Sequence, residues 1–409
     1  MCAEYALRAA SLFLSLCAAT VGVLVRPKHA DSRPPCFTLP EHFEPSAWRG
    51  DWVLDRRATE TFFAPECPYY GDLNWGAHHA GNLDQDEHRL AFRSHSCQSS
   101  SYTSHELRML LANRTVVFFG DSVSLGMANN LACALWKATV GQQVARHIRA
   151  PRDGDDGMER PTEPSRCFMF SEGQIVCWIS AAKCANFGYE GAKSRYCADT
   201  YLRSLGHAMN GAVDFLGPND VVVANAGVHF NVDNARDQAL LWAEVEGLCA
   251  NVGLWGEAAP LVVWRENAAQ NWERGRFPYS PNKSVVECEV WPDDWLEAAE
   301  PWMSEYNPYN LFLEPLLANC AGIRRLPVWL PSAMLGLADR VGKRGDCTHY
   351  FGPGSAHGLW NTMLLDVLHN HKTRTYTPTH ARTAREQEAD GPSYSERWRG
   401  ILLLLDGVT

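Results

Sequence analysis

The feature that most restricts how this chain can fold lies near residue 120. Thr115 to Phe119 (TVVFF) is an unbroken run of β-branched and aromatic residues, of the length and character of a strand buried on both faces. Gly120-Asp121-Ser122 supplies a turn, after which Leu125, Ala128, Leu131 and Leu135 recur at helical spacing. A buried strand that hands over directly to a helix is the repeating unit of a parallel α/β sheet, because parallel neighbours need a crossover connection. The alternation continues through strand-like runs at Ile175 to Ile179, Val221 to Ala224, Leu261 to Trp264 and Leu326 to Trp329. Leu241, Val245, Leu248 and Val252 mark a helix between two of these runs, and a last helix is expected from about Leu359 to Leu368. The pattern predicts an α/β domain over residues 107–371, built on a mostly parallel five-stranded sheet.

Residues 31–106 read differently. They are rich in Pro, Trp, His and charge, show little periodicity and carry Cys36, Cys67 and Cys97, which suggests a small, loop-rich module stapled by disulfides. The polar stretch 372–409 is expected to be a flexible tail. Residues 1–30 contain the apolar run Ala9 to Val25, which suits either a cleaved signal peptide, given Ala18 and Ala19, or a retained type II membrane anchor. Arg8 before the run is countered by Arg26 and Lys28 after it, so charge does not choose between them. Both alternatives send the chain into the secretory pathway.

Twelve of the 14 cysteines follow this leader, and none forms a CxxC pair. An even number of dispersed cysteines in an exported chain favours disulfides over a zinc site, so no metal is expected. Asn113-Arg-Thr115 and Asn282-Lys-Ser284 are candidate N-glycosylation sites of the same compartment. A net charge of −10 offers no basic field for a polyanion, which excludes nucleic acid as an expected partner.

In an open α/β sheet, reacting groups gather where strands end at their carboxyl side. Ser122 has that position, and its hydroxyl needs a base to become a nucleophile; a helix-capping turn is the plain structural alternative. Asp346-Cys-Thr-His349 lies between the last predicted strand and the last helix, where the carboxylate can orient the imidazole toward Ser122. Asn225, in the strand end Asn225-Ala-Gly227, suits either an oxyanion donor or a side chain that satisfies loop backbone. His229 reads as a loop or core residue. Arg265 and Glu266 suit an ion pair, with a substrate contact from Arg265 as the other reading. The 15 tryptophans allow sugar stacking by any that are exposed, the rest being core.

Together these segments resemble the PC-esterase family and its trichome-birefringence-like polysaccharide O-acetyltransferases, which have the SGNH/GDSL hydrolase-like fold. The resemblance rests on Gly120-Asp121-Ser122, Asn225 and Gly227, Arg265-Glu266 with Gln270, and Asp346-Cys347 with His349 and Tyr350, in that order, preceded by Gly50-Asp-Trp52-Val-Leu-Asp55. It implies a three-layer α/β/α domain and a triad of Ser122, His349 and Asp346. Gly120, Asp121, Asn225, Gly227 and Arg265 would then serve the oxyanion or the substrate. The implied activity is transfer of an acetyl group to a polysaccharide or glycan hydroxyl through an acyl-serine, with an acetyl donor as co-substrate and no cofactor. A Golgi membrane location with a luminal catalytic domain follows from the same resemblance, with secretion as the alternative. A carbohydrate acetyl esterase would use the same triad with water as acceptor, and a catalytically silent glycan-binding protein would keep only the fold. Tyr350-Phe351 stands where the plant members have Trp-Cys, which leaves the pairing of Cys347 open, and Asn271-Trp272 replaces their His-Phe.

Overall fold

The run TVVFFG forms strand β3 (Thr115–Gly120), all six of its residues buried, and Ser122 opens helix α2 (Ser122–Ala138) one residue after the strand ends. The computed structural model describes residues 32–70, 89–139, 146–149, 166–180, 216–228, 230–255, 260–275, 288, 306–336, 347–350 and 354–375. β3 lies at the centre of the sheet and pairs in parallel with β6 (Ile175–Ser180) on one side and β7 (Val221–Ala224) on the other. Beyond β7 come β8 (Leu261–Arg265) and β9 (Ile323–Leu326), also parallel. Beyond β6 come β5 (Arg166–Met169) and β4 (Arg146–Arg149), both antiparallel to their neighbours. The order is β4-β5-β6-β3-β7-β8-β9, seven strands where five were expected.

The five expected strands form the parallel part, with one shift of register. β9 is Ile323–Leu326, and Trp329, expected in a strand, begins helix α5 (Trp329–Leu335). Pro327 has no N–H for the ladder, so the apolar run that resembles a strand cannot continue one. Arg325 belongs to β9 because its guanidinium is met by Glu314 and Glu266. β4 and β5 lack the long apolar runs of the central strands, but Cys167 of β5 and Cys177 of β6 are register partners joined by a disulfide.

Alternation along the central strands sorts their side chains to two layers. Val116 and Phe118 pack with Leu107 and Leu111 of α1 (Ser104–Leu111), Leu131 of α2 and Leu364 of α6 (Ser355–Thr375). Val117 and Phe119 pack with Leu241 and Leu248 of α3 (Ala235–Trp255) and Leu313 of α4 (Pro308–Leu317). The sheet therefore carries a helical layer on each face. A capping box between Thr103 and Glu106 fixes the start of α1.

Strands β1 (Gly50–Leu54) and β2 (Leu90–Ser94) form an antiparallel pair, and Cys36–Cys97 closes the segment around them. Cys67 pairs with Cys133 of α2, because three cysteines cannot all pair among themselves. Phe37, Trp48 and Phe92 lie in the same core as β3 and α6, and Trp52 donates its indole N–H to the Pro331 carbonyl at 2.9 Å. The described residues from Pro35 onward form one compact unit. All ten described cysteines are in disulfides. Among the described residues no helix is long and apolar enough to cross a membrane. The leader 1–30, Asp346, His229, Asn282, Phe351 and the tail after 375 lie outside the described residues.

Candidate active site

The turn that presents Ser122 is fixed from three directions. Asp121 caps α2, its carboxylate accepting from the Val123 and Ser124 amides at 3.0 and 3.1 Å. Trp178 of β6 donates its indole N–H to the Asp121 carbonyl at 3.1 Å. Gly120 is required by space, since a Cβ there would lie 2.2 Å from Ser124 Oγ. Ser122 is thereby held half-buried at the carboxyl end of the central strand, where a hydroxyl can meet groups from several loops.

One such group does meet it. His349 Nε2 lies 2.7 Å from Ser122 Oγ, within direct proton-transfer reach, and the ring is likewise half-buried. His349 belongs to the irregular segment Cys347–Tyr350 between α5 and α6, and Cys347 is joined to Cys288. The structure thus gives Cys347 a partner that the sequence left open.

A buried polar layer lies beneath the pair. Arg265, at the end of β8, is 1 % exposed and places its guanidinium 3.5 Å from Asp121 and 3.0 Å from Ser124 Oγ. Burial pulls its pKa down, and the Asp121 carboxylate opposes that pull. Its partner is therefore Asp121 rather than Glu266, because successive residues of a strand face opposite ways. Glu266 turns to Arg325 at 3.7 Å and accepts from the Trp329 amide at 3.1 Å, while burial pushes its carboxyl up to about 7. Enclosed in this way, Arg265 braces the turn that carries Ser122.

The end of β7 is closed by a chain of amides. Asn225 is 1 % exposed and donates to the Arg265 carbonyl at 2.9 Å and to Asn267 Oδ1 at 3.4 Å. Asn267 donates to the Ala226 carbonyl at 2.8 Å and is itself held through its backbone by Asn310. Gly227 has φ of 148°, and a Cβ on it would lie 2.3 Å from Asn267 Nδ2, so the strand end needs glycine here. Asn225 thus binds loop backbone, the plainer of its two sequence readings. The amides of Asn267 and Asn310 carry no sequence signal, because their partners are set only when β7, β8 and α4 pack. Gln270 is buried and donates to the Ala268 carbonyl at 3.0 Å.

Asn113 is exposed in the turn before β3, at the end of that strand opposite Ser122. None of the nine tryptophans whose burial is described is exposed. Among the described residues no group of three or more His, Cys, Asp or Glu side chains could hold a metal ion.

No family model matches the chain. A protein of Oryza sativa subsp. japonica described as a probable xylan O-acetyltransferase is 30% identical to it over 93 residues. That match covers 22% of this chain and 23% of the rice protein, so the chain spans less than a quarter of the relative it resembles.

Proposed function

We propose that this protein is a serine acyltransferase of the SGNH hydrolase-like class that moves an acetyl group onto a hydroxyl of a polysaccharide or other glycan. The observation that carries the reading is the 2.7 Å contact between Ser122 Oγ and His349 Nε2 at the carboxyl edge of the sheet. The partial likeness to a xylan O-acetyltransferase supports acetyl as cargo and a polysaccharide as acceptor. Disulfides among the described cysteines suit an oxidising compartment, and we assign the protein to the secretory pathway with its catalytic domain in the Golgi lumen.

In this mechanism His349 takes the Ser122 proton as Oγ attacks the carbonyl of an acetyl donor, and returns that proton to the donor's leaving group. The acetyl group remains as an ester on Ser122. His349 then takes the proton of a sugar hydroxyl as that oxygen attacks the ester, and gives it back to Ser122 as the acetylated sugar leaves. Asp346, three residues before His349, is assigned to hold the second ring nitrogen. Gly120, Asp121, Asn225, Gly227 and Arg265 support the geometry from below.

Acetyl-labelled 4-nitrophenyl acetate, incubated with the purified protein and a panel of xylan and other cell-wall oligosaccharides, tests the reading. Labelled oligosaccharide is expected, and Ser122→Ala should lower its formation by about 10⁴-fold or more while the fold is retained. Release of labelled acetate with no labelled sugar would make the protein an esterase. Neither release nor transfer would leave a glycan-binding role, and full activity in Ser122→Ala would remove Ser122 from the chemistry.

A further inference from the structure

The helix and strand that place Ser122 have no counterpart at His349. The histidine sits in an irregular segment, yet a group 2.7 Å from a nucleophile must be held to within a fraction of an ångström. Three hydrogen bonds tie this segment to the one that leaves β8. Asn271 donates its backbone N–H to the Cys347 carbonyl at 3.0 Å, and Tyr350 donates its hydroxyl to the Ala269 carbonyl at 2.9 Å. Between these two, Trp272 donates its indole N–H to Thr348 Oγ1 at 2.7 Å. The residues on both sides of His349 are therefore fastened to Ala269, Asn271 and Trp272, three residues of one buried strip.

That strip is itself rigid. Ala269, Gln270, Asn271 and Trp272 are all buried directly after a central strand. Trp272 is locked by the turn that follows, where the Gly275 amide donates to the Trp272 carbonyl at 2.8 Å. Arg274 and Gly275 both have positive φ in this turn, and a Cβ on Gly275 would lie 2.3 Å from the Tyr306 carbonyl oxygen. Of the three bonds just described, that from Trp272 runs from side chain to side chain, and it ends on the residue next to His349.

We infer that Trp272, acting through Thr348, is a positioning residue that fixes the His349 ring against Ser122. This inference rests on the reading of Ser122 and His349 as the reacting pair. The indole N–H is aimed at the hydroxyl rather than at the reacting atoms, so its work is done before any substrate arrives. It sets the orientation of the histidine segment and leaves substrate binding alone.

The test measures labelling of Ser122 by a fluorophosphonate, in which a bond forms from Oγ to phosphorus and fluoride leaves, alongside turnover of 4-nitrophenyl acetate. Trp272→Phe keeps an aromatic ring and removes the donor. Labelling rate and kcat are expected to fall roughly 10- to 100-fold with KM unchanged. Thr348→Val should match that loss, the double variant should be no worse than either single one, and Thr348→Ser should recover the rate because it keeps the acceptor. Losses that add in the double variant, or that follow thermal stability in parallel, would overturn the inference. Should Trp272→Phe not fold, Thr348→Val and Thr348→Ser decide alone. Ser122→Ala and His349→Ala separate the two levels. If both abolish labelling while Trp272→Phe labels at the wild-type rate, the positioning role fails and the active site stands. If neither abolishes labelling, the active-site reading itself falls, and the inference with it.

Discussion

Ser122 and His349 face each other across 2.7 Å, but they reach that position by different means. Ser122 is delivered by local structure: a buried strand ends, a glycine fits where a Cβ cannot, and an aspartate caps the helix that the serine begins. His349 is delivered by cross-links between segments far apart in the chain, through the Cys288–Cys347 disulfide and the bonds from Ala269, Asn271 and Trp272. Regular structure holds its geometry through many redundant hydrogen bonds, so losing one contact costs stability before it costs position. An irregular segment held by a few cross-links should show the opposite balance. Activity lost per unit of stability lost is the quantity that separates the two halves.

The largest stability effect is expected on the serine side. Asp121→Ala removes the α2 cap and leaves Arg265 buried without its carboxylate, which should cost about 3–5 kcal/mol in urea denaturation. Acyl transfer per folded molecule should fall by no more than ~10-fold, because β3 and α2 still frame the turn. On the histidine side, Cys288→Ser opens a disulfide that spans 59 residues and should cost about 2–4 kcal/mol. Its activity loss per folded molecule should nevertheless be the greater, roughly 100-fold, since Cys347 is two residues from His349. Denaturation midpoints measured beside kcat on the two variants give the comparison, and a reversed ranking of activity loss would break it.

The same contrast explains what could be read in the sequence. The strand, turn and helix around Ser122 are written in adjacent residues, and so are the buried runs of β6, β7 and β8. The apolar run Leu326 to Trp329 points to a strand three residues after the real β9, which contains Arg324 and Arg325. β4 forms the sheet edge and β5 is the next strand in; each has only four residues, too few to write a long apolar run. Arg265 and Glu266 look like a pair because they are neighbours in sequence, but pleating sends them to different partners. Trp272 and Thr348 are 76 residues apart and in no repeating pattern, so the contact beside His349 exists only once β8 and α6 have packed. The candidate nucleophile and base were legible as residue types at strand ends, and the contacts that hold His349 were not.

A buried charge that touches neither half provides the smallest and sharpest test of the comparison. Glu244 lies on α3, in the helical layer opposite α2 and α6, and burial alone pushes its carboxyl up to about 8. Its folded pKa is raised above the ordinary value of 4.5, so the folded state keeps the proton at pH values where the unfolded chain has released it. The stability this contributes is present in full below pH 4.5 and is lost as the pH rises toward 8. Glu244→Gln, which cannot ionise, should flatten that slope and raise stability at pH 8 by on the order of 1–2 kcal/mol, with little change near pH 4. Acyl transfer per folded molecule should be the same as in the wild type at every pH, because none of the attachments of Ser122 and His349 described above passes through α3. A change in kcat that followed the Glu244 ionisation would mean that the opposite layer also sets the geometry of the pair, and the division into a locally held serine and a cross-linked histidine would then be too narrow.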